Sequence, residues 1–164
     1  ITRANFLTQA AMRDGEVMNG ILERPAGFRS DSTTRRIHHA AEPLVKHLLF
    51  SGETRLTDRI SGTSGFTEDF AARGARDEQG RSLREFDLRT RLMKYPCSYL
   101  IYSKAFDQLP ETVKSRVYQR MWEVLTGQDD GEDFQHLTAA DRRAILEILR
   151  DTKPQLPKYW REAA

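Results

Sequence analysis

A chain of 164 residues, 38% hydrophobic and 30% charged, fits one domain that can bury a core without covalent staples. Its formal net charge of +2 is too small to imply nucleic acid by itself. One cysteine, Cys97, excludes an internal disulfide, a cysteine-rich zinc site and a covalently attached c-type haem on this chain, and no apolar run reaches the roughly 18 residues of a membrane helix.

Residues 1–24 read as a helix. Phe6, Leu7, Ala10, Ala11, Val17, Met18, Ile21 and Leu22 mostly fall on one stripe, weakened by Gly15 and Gly20 and stopped by Pro25. The chain begins at Ile1 rather than Met, so a processed or truncated product is the expectation. Ser30, Asp31 and Ser32 offer N-cap oxygens for a second helix carrying Ile37, Leu44, Val45, Leu48 and Leu49. Pro43 predicts a kink or short break in it, and Ser51-Gly52 ends it.

Residues 51–81 form a loop insert holding five of the ten glycines and few large apolar residues. Phe66 and Phe70, four apart, predict one short helix, Thr67 to Arg73, pinning the loop to the body. A loop this long in a compact domain is usually functional or an interface. It is therefore the expected contact surface.

Gly80 to Leu109 is the densest apolar and aromatic stretch. The Ser82-x-x-Glu85 pair reads as a capping box that starts a helix. Tyr95, Tyr99, Tyr102 and Phe106 recur at helical spacing, with Cys97, Leu100 and Ile101 filling the rest of the circumference. A helix apolar nearly all round is a central one. Pro96 separates it from the preceding helix or kinks the two together.

Pro110 and Glu111 suit the first turn of a further helix, with Val113, Val117, Met121, Val124 and Leu125 as its stripe and Gly127 as its C′ residue. An acidic loop, 128–135, follows. Thr138-Ala-Ala-Asp141 is a second capping box, opening a helix that presents Ala144, Ile145, Ile148 and Leu149. After the extended Lys153–Pro157 tail, Tyr159 and Trp160 are expected to fold back onto the body. The predicted fold is all-α: a single domain over 1–164, a compact irregular bundle of about six helices around Ser82–Leu125, with one long ordered loop and no sheet.

His38, His39 and Glu42 make the sharpest metal-like constellation, because spacings of three and four can put nitrogen and oxygen ligands on one helix face. It is not HExxH, a third ligand is missing, and His47 lies nearly a turn and a half beyond Glu42. A solvent-facing His/Glu pair beside two arginines is the plainer reading. Asp129-Asp130-Gly131-Glu132-Asp133 lacks the EF-hand order. Ser61-Gly62-Thr63-Ser64-Gly65 is neither a nucleophile elbow nor a Walker loop. Cys97 has no histidine nearby and reads as a buried structural thiol.

The 73–94 segment holds Arg73, Arg76, Arg81, Arg84, Arg89, Arg91 and Lys94 against four acids. A phosphate or nucleic-acid surface would need these bases to converge on one face. The interleaved acids favour ion pairing instead, with residues 75–82 as a hydrogen-bonded turn. Nucleic acid is accordingly disfavoured as a partner, and no cofactor is predicted.

Three strings, Gly80-Arg-Ser-Leu-Arg-Glu-Phe-Asp-Leu, Tyr95-Pro-Cys-Ser-Tyr-Leu-Ile-Tyr-Ser and Leu137-Thr-Ala-Ala-Asp through Lys153-Pro154, resemble the C-terminal part of large bacterial proteins that carry no assigned activity and are often exported. The resemblance covers about the last two-thirds of the chain. It implies a bacterial source, a preceding N-terminal portion and a periplasmic or other extracytoplasmic location, and it supplies no catalytic residues. The expected function is a non-catalytic helical module of a larger assembly. It would meet a protein partner, or the rest of its parent chain, through Phe66, Phe70, Arg73, Arg76, Arg81, Tyr159 and Trp160. The alternatives are a metal-binding or metal-dependent enzyme domain built on His38, His39 and Glu42, and a phosphate or nucleic-acid binder built on Arg73–Lys94.

Overall fold

A computed structural model describes residues 1–162. Among them are seven α-helices: α1 (Thr2–Ile21), α2 (Asp31–Leu48), α3 (Phe66–Ala72), α4 (Lys104–Asp107), α5 (Glu111–Leu125), α6 (Ala139–Thr152) and α7 (Tyr159–Glu162). Short 3-10 turns lie at Tyr99–Tyr102 and Glu132–Phe134, and no strand is present among the described residues. The fold is all-α, as the apolar periodicity predicts.

The centre is the pair α2 and α5. α2 packs on both α1 and α5, and α6 closes the other side of α5. Ile37, Ala41, Leu44, Val45 and Leu48 of α2 meet Val113, Val117, Met121 and Val124 of α5 in one continuous core. Ser30 caps α2, its hydroxyl accepting from the Thr33 amide at 3.1 Å. The helix runs unbroken through Pro43, so the predicted break is absent. Burial of Leu44, Val45 and Leu48 just beyond the proline outweighs the one backbone bond it removes. The Thr138–Asp141 capping box forms reciprocally at the start of α6.

The expected helices at Ser82 and Tyr95 do not form. Glu85 does reach back to the Ser82 amide at 3.1 Å, but the chain turns away after one loop. Phe86 and Met93 instead form an isolated antiparallel bridge, closed by Leu88 N–H donating to the Arg91 carbonyl at 2.9 Å. Asp87 fastens that turn, accepting from the Thr90 amide and hydroxyl at 2.9 and 2.6 Å. Pro96 disfavours helical backbone at Tyr95, and the Ser98 amide bonds the Leu48 carbonyl at 2.7 Å, at the end of α2. The apolar side chains still reach the core: Leu83, Cys97, Ile101 and Phe106 are fully buried. The stretch is thus central in packing but irregular in backbone, and the ordered loop extends over 49–98 with α3 as its one helix.

Arginine organises much of this loop. Asp77 accepts from the Gln79 and Arg81 amides and from the Arg81 guanidinium, at 3.1, 2.7 and 2.6 Å. Arg81 continues to Glu147 on α6 at 2.7 Å. Arg91 grips Asp141 with both terminal nitrogens, at 2.5 and 3.2 Å. Arg142, nearly buried, donates to four backbone carbonyls, of Val124, Asp129, Phe134 and Leu137, and so ties the end of α5 to the acidic loop.

Candidate functional site: an aromatic and arginine cleft

Phe66 and Phe70 project from α3 and stack at 5.6 Å between ring centres. Phe70 lies 4.9 Å from the Phe86 ring and 5.2 Å, edge-on, from Tyr99. α3 can lie this close because residue 74 is glycine: a Cβ there would overlap the buried Ser82 hydroxyl. The Arg84 guanidinium completes the group, 4.8 Å above Phe70 and 4.6 Å above Tyr99. A cation over two ring faces is held by their negative quadrupoles.

Beside this stack is a cavity of about 460 Å³, lined by Arg73, Gly74, Arg84, Tyr99, Tyr102 and Ser103 among others. Tyr102 is anchored to Thr152 at 2.6 Å, and burial pushes its phenol well above the ordinary range, so it is a neutral wall. The two arginines carry the charge. Arg76 pairs with Glu85, Arg81 with Asp77 and Glu147, Arg91 with Asp141 and Lys94 with Glu85. Arg73 and Arg84 pair with no carboxylate among the described residues. Phe66, 61% exposed, lies outside this lining and joins the stack through Phe70 and Phe86.

The sequence-predicted contact residues therefore divide. Phe66 and Phe70 belong to the ring stack beside the cavity, and Arg73 lines it. Arg76 and Arg81 are engaged by acids of the fold. Trp160 is fully buried, packed against Tyr118 and Trp122 at 6.1 and 5.6 Å. It folds back as expected and is a core residue, not a surface one. Tyr159 remains 38% exposed, edge-on to Trp122 at 5.6 Å. Arg84 and Tyr99, central to the cleft, enter the sequence reading only within the Arg73–Lys94 basic run and the aromatic set, not among the expected contact residues.

His38, His39 and Glu42 do not converge. Glu42 accepts from Arg120 at 3.0 and 3.2 Å, and Arg120 also holds Glu123 and Asp129. His38 faces a hollow with Arg29, Thr34, Glu111 and Ser115, while His39 lines a different one with Leu7, Ser32 and Arg36. Partial burial, and then the positive charge of Arg116, push His38 below the usual imidazole range. No group of three or more His, Cys, Asp or Glu side chains among the described residues is placed to hold a metal. The acidic loop is tied down by Arg120 at Asp129 and by Lys46 at Asp133, the latter at 2.7 Å. Burial raises the Cys97 thiol to about 12, which leaves it protonated and inert. No helix among the described residues is long and apolar enough to cross a membrane.

Fold and cleft together define an all-α domain with a charged, aromatic hollow between the long loop and the Tyr99–Ser103 turn. No family model, curated protein or solved structure matches the chain.

Proposed function

We propose that this chain is a non-catalytic helical module that binds a protein partner, or the remainder of its parent chain, at the cleft between α3 and the Tyr99–Ser103 turn. One observation carries the reading. Of the 73–94 bases, Arg76, Arg81, Arg91 and Lys94 are matched with acids, while Arg73, Arg84 and Arg89 take no carboxylate among the described residues; of these three, Arg73 and Arg84 line the cavity, near an exposed phenylalanine. Arginine and aromatic side chains in a shaped hollow are the residues that dominate protein contacts. An arginine already braced on two rings loses little side-chain freedom when it takes a carboxylate. The complementary segment carries an acidic side chain next to an apolar one, the first for Arg84 and Arg73, the second for Phe66. The interleaving of acids along 73–94 leaves no continuous basic track for a nucleic-acid backbone.

Amide hydrogen exchange tests this. In the native assembly, amides of 66–74 and 99–103 should exchange at least about tenfold more slowly than in the isolated chain. Arg84→Ala should remove that difference. Equal exchange rates in both states overturn the proposal.

A further inference from the structure

α1 is oriented backwards for a surface helix. Its buried side is made of Ala4, Thr8, Ala11 and Asn19, small or polar residues that let it lie close on α2. Gly15 shares that closeness: a Cβ there would stand 3.0 Å from the Thr33 hydroxyl. The large apolar residues face outward. Phe6, Val17 and Ile21 are 65%, 63% and 67% exposed, Met18 and Leu22 are half exposed, and Leu7 lies at their edge. An amphipathic helix normally turns such a stripe to the core. The patch amounts to on the order of 500 Å², the upper end of what a monomer carries, and with its polar margin it approaches the roughly 800 Å² each partner contributes to a stable interface.

We propose that this face is the contact of a two-fold homodimer, α1 lying parallel against α1 of a second copy. Phe6, Ala10, Val17 and Ile21 are spaced four, seven and four apart, the near-heptad interval that keeps one seam facing a partner helix. The missing layer falls at Arg13 and Asp14. Successive residues lie about 100° apart on a helix, so these two opposite charges flank the seam on either side at one level. In a parallel two-fold pair, opposite flanks meet at the same height. Arg13 of each copy then meets the partner subunit's Asp14, giving two ion pairs across the middle of the seam. Arg13 has no acidic partner within its own chain among the described residues. Asp14 is held by Arg36 at 2.7 Å yet stays 61% exposed, with lone pairs to share. A polar layer within an apolar seam fixes register and orientation, and here the patch supplies both of its halves.

The contact uses none of the cleft residues, so it stands or falls separately from the partner site. Sedimentation of the 164-residue chain at about 100 μM should give a dimer. Phe6→Asp and Val17→Asp, both at exposed positions, should give monomers with unchanged far-UV dichroism. Arg13→Glu should weaken the dimer at least about tenfold, most at low salt. Ala10→Cys should cross-link to a dimer under mild oxidation, because the parallel seam sets the two residues opposite each other and Cys97 is fully buried. A monomeric wild-type chain, which would leave the face to a different partner, overturns the proposal. So does a dimer untouched by Phe6→Asp and Val17→Asp, or the absence of the cross-link.

Discussion

Replacing Arg142 by methionine should be the most damaging single polar substitution in α6. Methionine keeps the apolar stem and removes the guanidinium. Three of the carbonyls it serves, of Val124, Phe134 and Leu137, take their bond in buried surroundings, and the fourth, of Asp129, in partly buried ones. The Val124 and Phe134 carbonyls keep the Gly127 and Leu137 amides as second donors, both at 3.1 Å, so the loss is reckoned as the net worth of the three charge-assisted bonds, about 1 kcal/mol each at the low end, or about 3 kcal/mol. For a chain of this length each kcal/mol lowers the melting temperature by about 2–4 °C. Calorimetry should therefore find Arg142→Met melting about 6–12 °C below the wild type. Arg142→Lys should fall between the two, because one ammonium cannot span carbonyls spread over residues 124–137. Hydrogen exchange should show the loss as opening of 126–137 before the rest of the bundle. A variant melting within about 1 °C of the wild type would show that the guanidinium bonds to these carbonyls contribute nothing net, and the reasoning would fail.

Gly74→Ala forces a Cβ onto the Ser82 hydroxyl and should cost about 2 kcal/mol in chemical denaturation, with α3 loosened first. Thr8→Val should raise the denaturation midpoint, worth about 1 kcal/mol, because the buried Thr8 hydroxyl has no hydrogen-bond partner among the described residues. A lowered midpoint would mean that the hydroxyl finds a bond in solution. The fold should also be acid-sensitive. Burial alone would raise Asp77 and Asp141, but hydrogen bonds from Arg81 to the first and from Arg91 and Thr138 to the second outweigh it and hold both below the ordinary carboxylate range. Carboxylates depressed in the folded state stabilise it above their unfolded pKa and lose that contribution as pH falls through the folded value. The melting temperature should drop as pH falls below about 4, and Asp77→Asn should give a lower plateau at neutral pH with a shallower acid limb.

The long helices α2, α5 and α6 are legible in the sequence because each is marked locally. Ser30 and Thr138 supply their caps, Pro110 marks the start of α5, and the stripes of α2, α5 and α6 do face the core. The 82–106 segment misleads because aromatics three and four apart arise from successive tight turns as readily as from a helix. What decides its path is distant in sequence: Arg91 on Asp141, Arg81 on Glu147, the Ser98 amide on the Leu48 carbonyl. α1 misleads in the other direction. Its apolar stripe is real, but small residues on the opposite face permit a closer approach to α2, and that approach wins the core. At the cleft, the four-residue spacing of Phe66 and Phe70 is visible in the chain. The part played by Arg84 is not, since sequence does not say which arginine of a run is left without an acid once the chain has folded. Trp160 shows the same limit: its return to the body can be expected, whereas its complete burial depends on the hollow that Tyr118 and Trp122 happen to form.

The most direct test of the partner site is a photo-reactive phenylalanine placed at Phe66 and irradiated in the native assembly. The cleft as described should yield an adduct to one discrete segment bearing an Asp or Glu next to an apolar residue, and Arg84→Ala should abolish it. An adduct insensitive to Arg84→Ala, or no adduct at all, would contradict a partner site between α3 and the Tyr99–Ser103 turn.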